Sequence, residues 1–393
     1  MEKSQIGNEI SFLAIFSNFF YYLMFVPFKT VLDPETNHYR LQTHPVQKMF
    51  CLFGNIGVVA FTTYLLICGL LLKQQLEPSI VDAFDFVANF SICISTVLMI
   101  FILWRRRMKY LEVIESTRIT LRRARRIKIL FHLYISVITG AWSTISWLRV
   151  HDDLHYANLH TLHRYLLGGN RSSNDLSDLH VSQNILQNVF YLGLSIICVY
   201  ASLFYITNHG IFLMLVFSVR QLGKVLRTEL TTEGNKSVEV QRGYELWRKM
   251  KSKVDLIKCL FGYKIMVYYI ISVCYYAKTP HIMFGNQGNI EKVTLAYFLL
   301  ASLIWIMAAE FHKEVQETVL KWIAYHSGNE NLKSKDMLKL LALSNEMSAD
   351  PIALSSRYFY VTYQQLSAML GLVVTYGIIV FQVQNGQTFK ETS

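Results

Sequence analysis

The 393 residues are 52% hydrophobic and only 17% charged, far from a soluble average, and apolar stretches of roughly 20 residues recur along the whole chain. Two ordinary soluble domains are thereby excluded in favour of one integrated membrane domain. The net charge of +11 is not read as a nucleic-acid surface, because the Lys and Arg residues sit between the apolar stretches, where cytoplasmic loops meet anionic lipid.

In chain order, Ile10 to Phe28 is apolar and rich in Phe and Tyr, but has no basic leader and no small-residue cleavage site, so a cleaved signal peptide is not expected. Ser11, Ser17 and Asn18 interrupt it and Pro27 ends it, which predicts an interfacial or re-entrant helix instead of a span. Were it a span, the count would become eight and the N-terminus would lie outside. Seven spans are predicted: Phe50 to Leu72, Phe86 to Trp104, Ile129 to Leu148, Ile185 to Val219, Cys259 to Tyr276, Val293 to Glu310 and Tyr358 to Gln382. None contains any of the six prolines. The fourth is too long for one crossing, so it either bends near Asn208, His209 and Gly210 or, the expectation adopted here, projects into the cytoplasm. Between the sixth and seventh spans, Asn331 to Met347 carries Leu332, Met337, Leu338, Leu341 and Leu343 in the pattern of an amphipathic helix.

Orientation follows from the basic residues, which resist translocation. Ten lie in Arg105 to Lys128, ten in Arg220 to Lys258, six in Phe311 to Arg357 and four before the first span, against six in all the opposite loops. The basic side goes inside, which predicts a cytoplasmic N-terminus and an outer C-terminus. The sequon Asn170-Arg171-Ser172 then falls in the outer loop from Val150 to Asn184, making Asn170 a candidate glycosylation site. A G-protein-coupled receptor would have to translocate the ten basic residues of Arg105 to Lys128, and its Asp-Arg-Tyr and Asn-Pro-x-x-Tyr motifs are absent.

No catalytic or metal chemistry is expected. All six cysteines lie in or beside apolar stretches without CxxC spacing, which implies neither an outer disulfide framework nor a metal site. His151-Asp-Asp-Leu-His155 has ligand spacing in a histidine-rich outer loop, but the His-His pairs of membrane desaturases are missing. HExxH, GxxxxGK[ST] and GxSxG are also absent, and Glu310-Phe-His312-Lys-Glu314 reads as solvated charge at a helix end.

The last span reads Leu370-Gly-Leu-Val-Val-Thr375-Tyr376-Gly-Ile-Ile-Val-Phe381-Gln382-Val383. It resembles the signature of insect gustatory receptors, Thr-Tyr followed by five mostly apolar residues and Gln-Phe, with Val383 in place of Phe. The Leu-Gly-x-Val-Val-Thr-Tyr lead-in is similar to the insect odorant co-receptor. Gly377 stands where sugar-sensing members often carry an acidic residue.

The resemblance implies an all-α, polytopic, homo- or heterotetrameric channel in the plasma membrane of gustatory receptor neurons, with no cofactor, catalysis or nucleic-acid partner. A small-molecule tastant would open a non-selective pore to monovalent cations, divalent ones being left open. It divides the chain into a cytoplasmic segment with an interfacial helix (1–49), a six-span bundle (50–310), a cytoplasmic anchor (311–357), a pore helix (358–382) and an outer tail (383–393). Ile379, Gln382 and Val383 would line the outer pore and gate, while Thr375 and Tyr376 would contact neighbouring helices. A ligand pocket in the outer half of the bundle would draw on Phe86, Asn89, Trp142, Gln187, Tyr191 and Tyr297. The competing expectation is a non-channel polytopic protein, a transporter or a membrane enzyme.

Overall fold

A computed structural model describes residues 9–73, 80–120, 129, 133, 136, 181–231, 239–284, 290–328 and 332–391. The elements run β1 (Glu9–Ile10), α1 (Phe12–Tyr22), β2 (Lys29–Leu32), β3 (Tyr39–Gln42), α2 (Pro45–Lys73), α3 (Ile80–Arg105), α4 (Arg107–Ser116), β4 (Ile119–Thr120), α5 (Val181–Thr231), α6 (Val240–Phe284), α7 (Ile290–Ser327), α8 (Ser334–Ala349) and α9 (Tyr363–Glu391).

Residues 9–42 and 107–120 build a small mixed layer beside the long helices α2 and α3. Ser11 caps α1 by accepting from the Ala14 N–H at 3.4 Å, and α1 then buries Phe12, Phe16 and Phe20. With 11 residues it is shorter than a bilayer crossing. Asn18 on α1 pairs with Thr30 much as a strand would, donating to its carbonyl and accepting from its N–H, both at 2.7 Å. The hairpin β2–β3 was not foreseen in an all-α reading. Its turn is nevertheless encoded: Asp33 accepts from the Glu35 N–H at 3.0 Å, and Asn37 takes the left-handed conformation at φ 52 that Asn tolerates. β1 pairs antiparallel with β4, and β2 with β3 from Lys29 opposite Gln42 to Leu32 opposite Tyr39.

The long helices carry the rest. α6 packs on α3, α4, α5, α7, α8 and α9, and α5 packs on α1, α2 and α7. α5 runs unbroken through Asn208, His209 and Gly210 for 51 residues, about 75 Å at the ordinary helical rise of about 1.5 Å per residue. Its glycine matters there, because a Cβ built on Gly210 would lie 2.1 Å from Cζ of Phe16 on α1, closer than the two atoms can approach. α6 and α7 are likewise longer than the apolar stretches within them: α6 begins at Val240, not near Cys259, and α7 continues past Glu310 to Ser327.

Among the described residues three helical segments are long and apolar enough to cross a membrane, Pro45–Thr63, Phe86–Arg105 and Val240–Cys274. α3 displays the matching inside-out pattern. Val87, Phe90, Ile94, Val97 and Phe101 form an exposed apolar stripe at three- and four-residue spacing, whereas its buried face includes Ser91, Ser95 and Thr96. In water such a stripe would be a liability; against lipid it is ordinary. Of the expected third span only Ile129, Leu133 and Ser136 are described, all helical and exposed, and the loop holding Asn170 and the histidines lies outside the described residues.

Candidate functional site: the last helix and its anchor

α9 starts later than Tyr358, because residues 354–361 fold into a tight turn first. Ser356 accepts the N–H groups of Tyr358 and Phe359 at 3.0 Å, and the Val361 N–H donates to the Leu354 carbonyl at 2.8 Å. Thr362 then caps the helix by accepting from the Gln365 N–H at 3.2 Å. The Gln365 side chain, free of that task, donates to the Tyr269 hydroxyl of α6 at 3.3 Å.

The charged segment of α7 holds this start in place. Tyr363 donates to the Glu310 carboxylate, and Lys313 lies 5.9 Å from the centre of the Tyr363 ring. The His312 Nδ1 sits 3.2 Å from the Ile352 carbonyl, and Glu314 pairs with Arg227 of α5 at 3.6 Å. Glu310 to Glu314 is therefore an inter-helix contact region and not a solvated helix end. It was illegible in sequence because its partners are 40 to 90 residues away. Behind it, α8 is clasped to α6 by Lys251, which donates to Glu346 at 2.8 Å and Asp350 at 3.0 Å.

Past this anchor α9 becomes one-sided. Leu366, Met369, Val373 and Gly377 face the chain's own helices α6 and α7. Gly371, Thr375, Ile378, Ile379 and Gln382 cover the opposite side and are exposed, as are Leu370, Leu372, Val374 and Tyr376. Thr375 satisfies its hydroxyl on the Gly371 carbonyl at 2.9 Å. Seven residues make about two turns, so Thr375 shares a face with Gln382, and Tyr376 with Val383, whose side chain is outside the described residues. The expected separation of 375 and 376 from 379, 382 and 383 is thus one of depth along the helix, not of face.

Of the expected pocket residues, Phe86 is half-buried and stacks on Phe90, ring centres 6.2 Å apart. Asn89, Gln187, Tyr191 and Tyr297 are on α3, α5 and α7 with side chains outside the described residues, and Trp142 lies outside them altogether. A polar cluster deeper in the bundle was missed in sequence. Lys264 of α6 is 2% exposed; its ammonium donates to the Asn208 carbonyl of α5 at 3.1 Å and to the Asn208 side chain, with Met99 Sδ of α3 at 3.4 Å. Asn208 continues to the Ser95 hydroxyl at 3.3 Å, which ties three helices together. The only signal was a lone Lys inside an apolar stretch.

Residues 294–392, covering α9 and nearly all of α7, match the family model described as Trehalose receptor. It is this last part of the chain, with the two helices that meet at the anchor, that is similar to a receptor family. The fold of the chain is similar to that of the insect olfactory receptor OR5 from Machilis hrabei in complex with eugenol. That match has 14% identity and a TM-score of 0.55, covering 94% of this chain and 97% of the other. A second structure of the same olfactory receptor matches with the same identity and coverage at a TM-score of 0.53. No curated protein matches the chain in sequence.

Proposed function

We propose that this chain is an insect gustatory receptor, a plasma-membrane cation channel of gustatory neurons, opened by a small organic molecule and assembled from four like or related subunits around their α9 helices. Seven spans, with the N-terminus cytoplasmic and the C-terminus outside, complete the proposal. The observation that carries it is the one-sidedness of α9. An apolar helix exposing Thr375, Ile379 and Gln382 opposite its packed face has no use for an amide directed at hydrocarbon, where an unsatisfied polar group costs several kcal/mol. A water-filled axis shared between subunits satisfies it.

Ile379 and Val383 then close the pore by dewetting, and Gln382 offers amide oxygens to a hydrated cation once it opens. Thr375 and Tyr376 lie deeper, against neighbouring helices. The exposed Met337, Leu338 and Leu341 of α8 supply an inner contact between subunits. The ligand pocket is assigned to Phe86, Asn89, Trp142, Gln187, Tyr191 and Tyr297, an aromatic wall with a few polar groups. Eugenol in the olfactory receptor structure is a ligand of that chemistry, whereas the absence of an acidic side chain at Gly377 speaks against a sugar.

The test is electrophysiology on the expressed receptor with a panel that includes eugenol and trehalose. An evoked cation current whose permeability ratios change in Gln382→Glu, and cysteines at 379 and 383 that react only with ligand present, are expected. Unchanged permeability together with unreactive cysteines in both states would favour a non-channel membrane protein.

A further inference from the structure

Arg105, Arg106 and Arg107 follow one another where α3 gives way to α4, and all three are exposed. Lys48, exposed near the start of α2, lies 5.9 Å from the centre of the Trp104 ring, which brings it to the same corner. Among the described residues none of these four cations takes part in an ion pair. The carboxylates on α4 do not neutralise them: Glu115 is engaged by Arg118 at 3.2 Å and by the Tyr39 N–H, leaving the exposed Glu112.

Two surfaces meet at this corner. On one side the apolar stripe of α3 from Val87 to Phe101 ends one turn before Arg105, and Arg106 lies 5.8 Å from the centre of the Phe101 ring. Val46, Met49, Phe50 and Met108 add exposed apolar surface around the cations. A partner must therefore present phosphate-like charge and hydrocarbon together. A monoanionic lipid would leave most of the four charges unmatched, while consecutive guanidinium forks suit several phosphates on one headgroup.

We propose that Lys48, Arg105, Arg106 and Arg107 form a binding site for a polyphosphorylated inositol phospholipid of the inner leaflet, its acyl chains lying along the α3 stripe. The site rests on the proposed orientation, with the α3–α4 corner on the cytoplasmic side. Inner-leaflet lipid chemistry would thereby act directly on the helix pair that leads into the bundle.

The experiment uses the full-length receptor in phosphatidylcholine nanodiscs and a fluorescent short-chain phosphatidylinositol bisphosphate. The triple variant Arg105→Gln, Arg106→Gln, Arg107→Gln is expected to bind it on the order of a hundredfold more weakly. The triple variant to Lys keeps the charge and should bind within about fivefold of the parent. Arg248→Gln with Lys249→Gln, exposed cations farther along α6, should change affinity by less than about threefold. Equal losses in that control, no loss in the Gln triple, or equal competition by phosphatidylserine would overturn the proposal. Equal affinity for free inositol trisphosphate would overturn its lipid part.

Orientation is read separately. Cys259 is exposed, and its Sγ lies 3.7 Å from the Nζ of Lys109 on α4. An impermeant maleimide should label it only after cells are permeabilised, with Cys259→Ser as the blank. Labelling in intact cells removes the orientation, whereas protected Cys259 with unaltered lipid binding removes the lipid site alone.

Discussion

Lys264 shows how one buried charge constrains three helices. Its three donors are taken by two oxygens of Asn208 and by Met99 Sδ, and no carboxylate faces it among the described residues. Replacing it with Met keeps the volume but strips Asn208 of its donor, which should cost about 1–3 kcal/mol of stability. The double variant Lys264→Met with Asn208→Leu removes both partners and should recover most of that loss. Thermal unfolding in detergent measures both; equal stability of the single variant and the parent would mean that the cluster contributes nothing to packing. The lysine itself was legible as an interruption of the fifth apolar stretch. Its partner was not, because Asn208 is 56 residues away and becomes a neighbour only once α3, α5 and α6 are packed. The same limit applies to Gly210, whose lack of a Cβ matters only because Phe16 occupies that space.

At the scale of elements, apolar length marked stretches that fall in the long helices α2, α3, α5, α6, α7 and α9, and the pattern Leu332, Met337, Leu338, Leu341 and Leu343 marked α8, which spans Ser334–Ala349. What apolar length cannot report is how far a helix continues into charged sequence, and so Val240 to Lys258 and Phe311 to Ser327 were left as loop and anchor. Tertiary contacts sustain them: Trp247 and Trp322 are buried there, and Lys251 clasps α8. That clasp has a pH signature. Partial burial tends to raise the Asp350 carboxyl, but hydrogen bonds from Tyr360 at 2.8 Å and from Lys251 outweigh it and hold the group below its ordinary range. A depressed carboxylate contributes stability above its unfolded pKa of about 3.9 and loses it as pH falls through the lower folded value. Burial lowers Lys251 in turn, and the bonds to Glu346 and Asp350 more than restore it. Its share is present below its unfolded pKa of about 10.4 and is lost as pH rises through the higher folded value. Asp350→Asn should therefore cost a constant amount between about pH 5 and 9, about 0.5–1 kcal/mol given its solvent exposure. The gap to the parent should close below about pH 4, followed by melting temperature; a cost that grows on acidification would show that the ion pair is not its source.

For the whole molecule, three related features underlie the proposed inner end of the bundle. Thirty of the 38 basic residues fall on one side of the predicted spans. Lys48 over Trp104, Lys258 over Tyr360 and Arg357 over Tyr263 place cations on aromatic rings near the same ends of the helices, the pairing found where side chains leave hydrocarbon for headgroups. The charged prolongations of α5, α6 and α7 all extend beyond the apolar parts at that end. Ile10 to Phe28 is the stretch on which the proposed topology turns. α1 is 11 residues long, about 16 Å at helical rise, and most of its circumference is buried in protein, so it neither reaches across about 30 Å of hydrocarbon nor presents a face to it. An epitope tag at the N-terminus should therefore stain only after permeabilisation, and one after Ser393 should stain in intact cells. Were α1 a crossing after all, both tags would stain intact cells, because the added span changes the side of the N-terminus alone. A tail that stays hidden in intact cells while the N-terminus is exposed would invert the bundle, carry thirty cations outward against the rule that set the orientation, and remove the pore proposed for α9 together with the inner-leaflet lipid site.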